Sequence, residues 1–190
     1  MARLFLIRHG EPEAAWGGAD HDPGLSEAGH VQAAAATRYL STLGPLAILS
    51  SPMRRCRETA SPYEAAAGVA ARIEPRVSEV RTPPGVADRR AWLMHNFPWR
   101  GEGSPRLWRD ADAALHAWRD EVVGAVREID ADTAVFSHFI AINAIVGAAL
   151  GADTTLVWRP GYASVTELDV SAGGLRLVRR GEEMQTGEVR

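Results

Sequence analysis

The chain has too little cysteine for an internal disulfide, because Cys56 stands alone. It also shows no basic, long apolar, small-residue leader ahead of Arg8, so the expectation is a cytoplasmic protein. An excess of charge of one sign is missing as well. Lysine and arginine total 21 against 24 acidic residues, a formal charge of -3. General attraction to nucleic acid or anionic lipid is thereby excluded, and any anion site must be local. Long apolar runs are scarce. The longest, Ala134 to Leu150, nears membrane-spanning length but carries Ser137, His138 and Asn143, which would be costly in lipid, so it reads as a buried strand followed by a helix. His21, His30, His95 and His116 lack the spacing of a ligand set such as H-x-x-x-H, so no metal is expected. No repeat or linker divides the chain, and 46% hydrophobic residues over positions 1–190 suit one domain with a sizeable core.

What is present is an alternation of strands and helices. Leu4 to Ile7 is too short for a helix and too continuously apolar for a strand with one wet face, so it reads as a central strand ending in Arg8-His9. Leu25-Ser26-Glu27-Ala28-Gly29 opens a helix capped by Ser26 that runs to Gly44-Pro45. Leu46 to Leu49 is a second strand. Ser50-Ser51-Pro52 resembles a serine cap with proline in the first turn of a helix from Met53 to Ala67. Arg72 to Val77 is a weaker strand. The segment 86–105 has no clean period, concentrates Trp92, Phe97, Trp99 and several arginines, and is expected to be an irregular lid. Ser104-Pro105 predicts the start of a long helix carrying Leu115, Trp118 and Val122. Thr133 to Phe136 reads as a strand, Ile140 to Leu150 as a helix, and Ser164 to Val178 as a closing hairpin. Residues 181–190 are expected to be a loose tail. The pattern predicts a three-layer α/β sandwich, with a mostly parallel central sheet, helices on both faces and the lid insertion.

In such a sheet, ligands sit beyond the carboxyl ends of the strands, where both Arg8-His9 and Ser137-His138 fall. The helix after Ser51-Pro52 opens on the same edge and brings Arg54 or Arg55. Two imidazoles and two guanidiniums beside a helix N-terminus suit a doubly charged oxyanion, most simply a phosphate. Such a pocket could only bind. A neutral imidazole within it can also attack phosphorus, and a carboxylic acid must then protonate the departing alkoxide. Glu79, after the third strand, is the candidate acid, with Asp88 the fallback. Gly10 lets the backbone approach closely, and Glu11 stands beside the nucleophile.

Four ordered blocks resemble the histidine phosphatase superfamily: Leu6-Ile7-Arg8-His9-Gly10-Glu11, Asp22 to Gly29, Ser51-Pro-Met-Arg-Arg-Cys-Arg-Glu-Thr-Ala and Phe136-Ser-His. The resemblance implies that His9 accepts the phosphoryl group while Arg8, Arg55 and His138 hold its oxygens. Arg55, four residues before Thr59, fits the family arginine better than Arg54. Glu79 matches the proton donor. Gly10, Glu11, Ser51 and Phe139 are expected to line the substrate.

Departures from the family pattern narrow the activity. Glu13 to Gly17 lacks the asparagine usual in phosphoglycerate mutases, and the chain is shorter than those mutases, like the compact phosphatase branch. Phe139 replaces a glycine and Asn143 an arginine. Phe97-Pro98 with Gly101-Glu102-Gly103-Ser104 faintly resembles a family loop. Trp92, Trp99 and Trp108 suit either an aromatic pocket or core packing. The expectation is a phosphomonoesterase acting on a small phosphorylated metabolite without cofactor or metal. A phosphoglycerate mutase, a protein phosphohistidine or phosphoserine phosphatase, and a non-catalytic phosphate-binding module remain alternatives. An apolar edge strand would suit a homodimer.

Overall fold

The computed structural model describes residues 1–14, 22–99 and 104–184. Outside the described residues lie 15–21, with Trp16 and His21, 100–103, with Gly101-Glu102-Gly103, and the terminal 185–190.

β1 (Ala2–Arg8) runs through the centre of a six-stranded sheet. It pairs in parallel with β4 (Thr133–Ser137) on one side and antiparallel with β5 (Val165–Ser171) on the other. β2 (Ala47–Ser50) lies parallel to β4, and the two-residue β3 (Arg72–Ile73) follows it in parallel. β6 (Gly174–Arg179) closes the other edge as the second strand of a hairpin, giving the order β3-β2-β4-β1-β5-β6. The sheet is mostly parallel with an antiparallel edge.

Alternate residues of β1 feed two different cores, which is why the strand is apolar throughout. Phe5 and Ile7 pack with α1 (Glu27–Leu40) and α2 (Arg54–Ala67) through Ala36, Leu40, Cys56 and Tyr63. Leu4 and Leu6 face the opposite layer of α3 (Arg89–Asn96), α4 (Ala113–Arg127) and α5 (Phe139–Leu150). This is the expected three-layer α/β arrangement. None of the described helices is long and apolar enough to cross a membrane.

Several local expectations shift. The segment 86–105 is not irregular over its described length. Asp88 caps α3 by accepting from Ala91 N, and Leu93, Phe97 and Trp99 are buried with Trp108. Burial of those large side chains outweighs the weak periodicity, and it settles Trp99 and Trp108 as core. α4 begins after Asp112, which accepts from Leu115 N, and not at Ser104-Pro105. The intervening residues are held instead by Trp108 N donating to Asp153 O at 2.6 Å. The strand expected over Arg72 to Val77 stops at Ile73 and gives way to a 3₁₀ turn, Pro75–Val77. The tail is packed as far as Met184, which is buried, and Gly161 N donates to Glu182 O at 2.7 Å.

The loop after β1 lies directly on the first turn of α1. A β-carbon added at Gly29 would stand 2.2 Å from Glu11 O, and one at Gly10 would stand 2.6 Å from Gly29 O. Both contacts are backbone, so neither can yield by a rotamer change. Gly29→Ala is therefore expected to destabilise the protein by about 1–3 kcal/mol in urea unfolding, as overpacking does. An unchanged midpoint would contradict the close approach.

Candidate active site

The strand registers determine what meets at the sheet rim. Arg8 pairs with Ser137, so β1 and β4 end side by side, and His9 N donates to Ser137 O at 3.0 Å. Ser50 pairs with Phe136, which brings the start of α2 to the same place. His9 and His138 consequently face one another with ring centroids 5.3 Å apart in an edge-on arrangement.

His9 is polarised by its own backbone. Nδ1 lies 2.8 Å from Gly10 O, and because a carbonyl only accepts, Nδ1 carries the hydrogen and Nε2 the lone pair. Burial holds the proton affinity of this imidazole well below its ordinary value, and the charges of Arg55 and Arg8 lower it further. The ring is therefore neutral and nucleophilic at Nε2.

His138 has the opposite tautomer. Arg55 Nη2 donates to His138 Nδ1 at 3.2 Å, and since guanidinium cannot accept, the hydrogen sits on Nε2, which donates to Ser51 Oγ at 2.8 Å. Cys56 Sγ packs against that nitrogen at 3.3 Å. Burial, then Arg55, His9 and Arg8, keep His138 neutral. As a neutral ring, His138 therefore has no hydrogen to spare for an oxyanion.

Arg55, in the first turn of α2, is buried and also lies 3.8 Å from Asp22 Oδ1. Arg54 is exposed and pairs with Glu58, so the choice of Arg55 matches the geometry. Arg8 has no solvent contact. Its Nη1 donates to Pro160 O at 2.8 Å and to Met184 Sδ at 3.0 Å.

Glu79 arrives by a braced strap. Ser137 Oγ donates to Val77 O at 2.7 Å and Trp118 Nε1 to Ser78 O at 3.3 Å. The carboxyl group accepts from Ile140 N and Val80 N, each at 3.1 Å, so it serves as the missing cap of α5. Burial pushes its pKa up, and the two N–H donors with Arg55 and Arg89 oppose that rise. Asp88, engaged at the start of α3, is not brought to this place.

The four residues expected to line the substrate each make contacts within the fold. Ser51 is fully buried, accepts from His138 Nε2 and from Met53 N, and precedes α2, which starts at Arg54. Phe139 is buried behind Arg8, whose guanidinium carbon lies 5.1 Å from its ring centroid. Gly10 N donates to Thr59 Oγ1 at 2.9 Å, and its open side faces α1. Glu11 is tied towards α1, its N–H donating to Gln32 Oε1 and its carboxylate accepting from Ser26 Oγ. Asn143 binds α5 to the following loop by accepting from Val157 N and Trp158 N. Sequence reasoning missed Asp22 as a partner of Arg55, and Tyr162, whose ring lies 3.9 Å from the Arg8 guanidinium carbon. Neither has a local spacing signal, because the contacts cross 33 and 154 positions of chain.

The chain is 31% identical over 126 residues to the glucosyl-3-phosphoglycerate phosphatase of Mycobacterium tuberculosis, covering 65% of this chain and 50% of that protein. It thus spans about half the length of that relative. It is 29% identical over 173 residues to a probable phosphoglycerate mutase of Photorhabdus laumondii, covering 80% and 76% of the two chains. Among solved structures, mycobacterial glucosyl-3-phosphoglycerate phosphatase in its native form superposes with a TM-score of 0.73 at 24% identity, over 97% of this chain and all of that one, which shows a shared fold. The family match itself runs over residues 4–183, and with the paired histidines and buried arginines at its sheet rim this chain belongs to the histidine phosphatase superfamily, branch 1.

Proposed function

We propose that the chain is a cytoplasmic phosphomonoesterase that hydrolyses a small phosphorylated metabolite through a phosphohistidine on His9, using neither metal nor other cofactor. The observation that carries this reading is the His9 ring, with its Nε2 lone pair free of the Gly10 contact and its centroid 5.3 Å from His138, between two buried arginines. Nε2 attacks phosphorus as the P–O ester bond breaks, and the departing oxygen takes the proton of Glu79. Glu79 then removes a proton from water, which attacks phosphorus as the P–N bond breaks, releasing phosphate and neutral His9. Arg8 and Arg55 stabilise the equatorial oxygens. Similarity to a glucosyl-3-phosphoglycerate phosphatase makes phosphorylated glycerates and their glycosides the first substrates to try. Similarity to a probable mutase is tested by product analysis, since a mutase returns a phosphorylated isomer in place of phosphate.

Glu79 gives a two-part test. His9 must be neutral, and its pKa lies well below 6.5, so activity falls on the acid side only as pH drops through that lowered value. Glu79 must be protonated for the first step, and its pKa lies above 4.5, so activity falls as pH rises through that raised value. The profile of kcat/KM is expected to be a bell bounded by these two shifted groups. Glu79→Gln should remove its alkaline limb and slow a substrate with a poor leaving group far more than an aryl phosphate. Equal slowing of both substrates would take Glu79 out of the acid role.

A further inference from the structure

The Arg8 guanidinium sits in a cradle whose parts are unequal. Nη1 is occupied by Pro160 O at 2.8 Å and Met184 Sδ at 3.0 Å. The Tyr162 ring lies 3.9 Å from the guanidinium carbon and the Phe139 ring 5.1 Å from it. Nε and Nη2 are fully buried and have no hydrogen-bond partner among the described residues. These two nitrogens form one edge of the guanidinium plane, the edge that binds an oxyanion through two parallel hydrogen bonds. A buried charge with two unsatisfied donors is costly unless an anion meets that edge.

The turn that supplies Tyr162 is itself strained. Ala163 has φ +51°, a left-handed conformation that a residue with a β-carbon rarely adopts. The turn is held from both sides, Arg8 N donating to Ser164 O at 3.3 Å and Gly161 N to Glu182 O at 2.7 Å. The segment ending at Met184 thus backs the turn, and the turn presses the Tyr162 ring on Arg8. Tyr162 also lies 6.1 Å from the His9 ring, centroid to centroid.

We infer that Tyr162 is a positioning residue that, through its ring face, fixes the Arg8 guanidinium so that its Nε and Nη2 edge stays turned towards the phosphoryl oxygens. The inference rests on the phosphatase reading above, since the anion that Arg8 awaits is the phosphoryl group. Cation–π attraction supplies the larger part of the hold, and the Tyr162 hydroxyl also acts on the guanidinium, where a carboxylate partner would occupy the oxyanion edge. Without the ring the guanidinium is free to turn, and the pair of hydrogen bonds is replaced by a mixture of poorer ones.

The test measures inorganic phosphate binding by calorimetry together with the kinetics of an aryl phosphate. Tyr162→Phe keeps the ring and should bind phosphate within about threefold of the parent. Tyr162→Leu and Tyr162→Met remove the ring but keep apolar volume, and whichever melts cooperatively should bind phosphate about tenfold more weakly and show a raised KM as well as a lowered kcat. A residue with only a packing role would lower the active fraction, and so kcat, while leaving the phosphate Kd of the folded protein unchanged; that result overturns the inference. Equal weakening by Phe and Leu overturns it too, because the hydroxyl would then matter and not the face. In the wild-type protein, the Arg8 Nε–H resonance, assigned with Arg8→Lys, should be shifted upfield by the ring and move when phosphate is added. An unshifted resonance contradicts the clamp without any change at Tyr162. A wild-type protein that neither binds phosphate nor hydrolyses any phosphomonoester refutes the phosphatase reading, whereas the failures above leave that reading standing.

Discussion

His9→Ala is expected to reduce hydrolysis of an aryl phosphate by about four orders of magnitude or more, to the level of buffer, while the protein stays folded. The reason is that nothing nearby can take over. Cys56 touches His138, yet its thiol is fully buried and pushed up to about 12, so it holds its proton at any pH where the enzyme works. Ser51 is buried as the acceptor for His138 Nε2. Arg8 and Arg55 remain in the variant, so phosphate should still bind. Retained binding with lost turnover would separate a missing nucleophile from a collapsed site. Added imidazole, small enough to enter the space left by the ring, should restore part of the rate.

Arg55→Ala should lower kcat by about a hundredfold, as loss of a donor to a developing oxyanion does. Two effects combine here. The guanidinium contributes its own hydrogen bonds to the equatorial oxygens, and it is also the partner that determines the tautomer of His138 through the 3.2 Å contact to Nδ1. Without it His138 loses the strongest of the charges that lower its pKa, so its titration should move upward and become visible by proton NMR. Arg55→Lys should not restore the rate, because an ammonium is a point charge that cannot present two parallel donors. A change confined to KM would mean that Arg55 binds ground state and transition state alike.

The parts of this site that were legible in the sequence are those that secondary structure places by itself. An apolar run too short for a helix had to be a central strand, and whatever followed it had to lie on the sheet rim, so Arg8, His9 and His138 could be read directly. Strand and helix placement also brought Arg54 or Arg55 and Glu79 to the rim, but only the family resemblance chose Arg55 over Arg54. The helix over Arg89–Asn96 escaped because it is short and its burial comes from side chains that fold back onto it from elsewhere, among them Trp108. Ser51 was misread as a helix cap for a related reason. Its hydroxyl accepts from Met53 N at 3.3 Å as a turn-opening serine does, but it is shared with His138, 87 positions away, and the helix proper starts later, at Arg54. The Tyr162 turn had no signal at all, because φ +51° at an alanine goes against residue preference and is imposed by the strands and tail around it.

The most direct measurement is a rapid acid- or base-quench experiment with a substrate carrying labelled phosphorus, followed by identification of the labelled residue. The mechanism predicts a protein-bound phosphoryl group that survives alkali, is lost in acid, maps to His9 and is absent from His9→Ala. Its formation should be at least as fast as turnover. Steady hydrolysis without any labelled protein, or label on a residue other than His9, would contradict it.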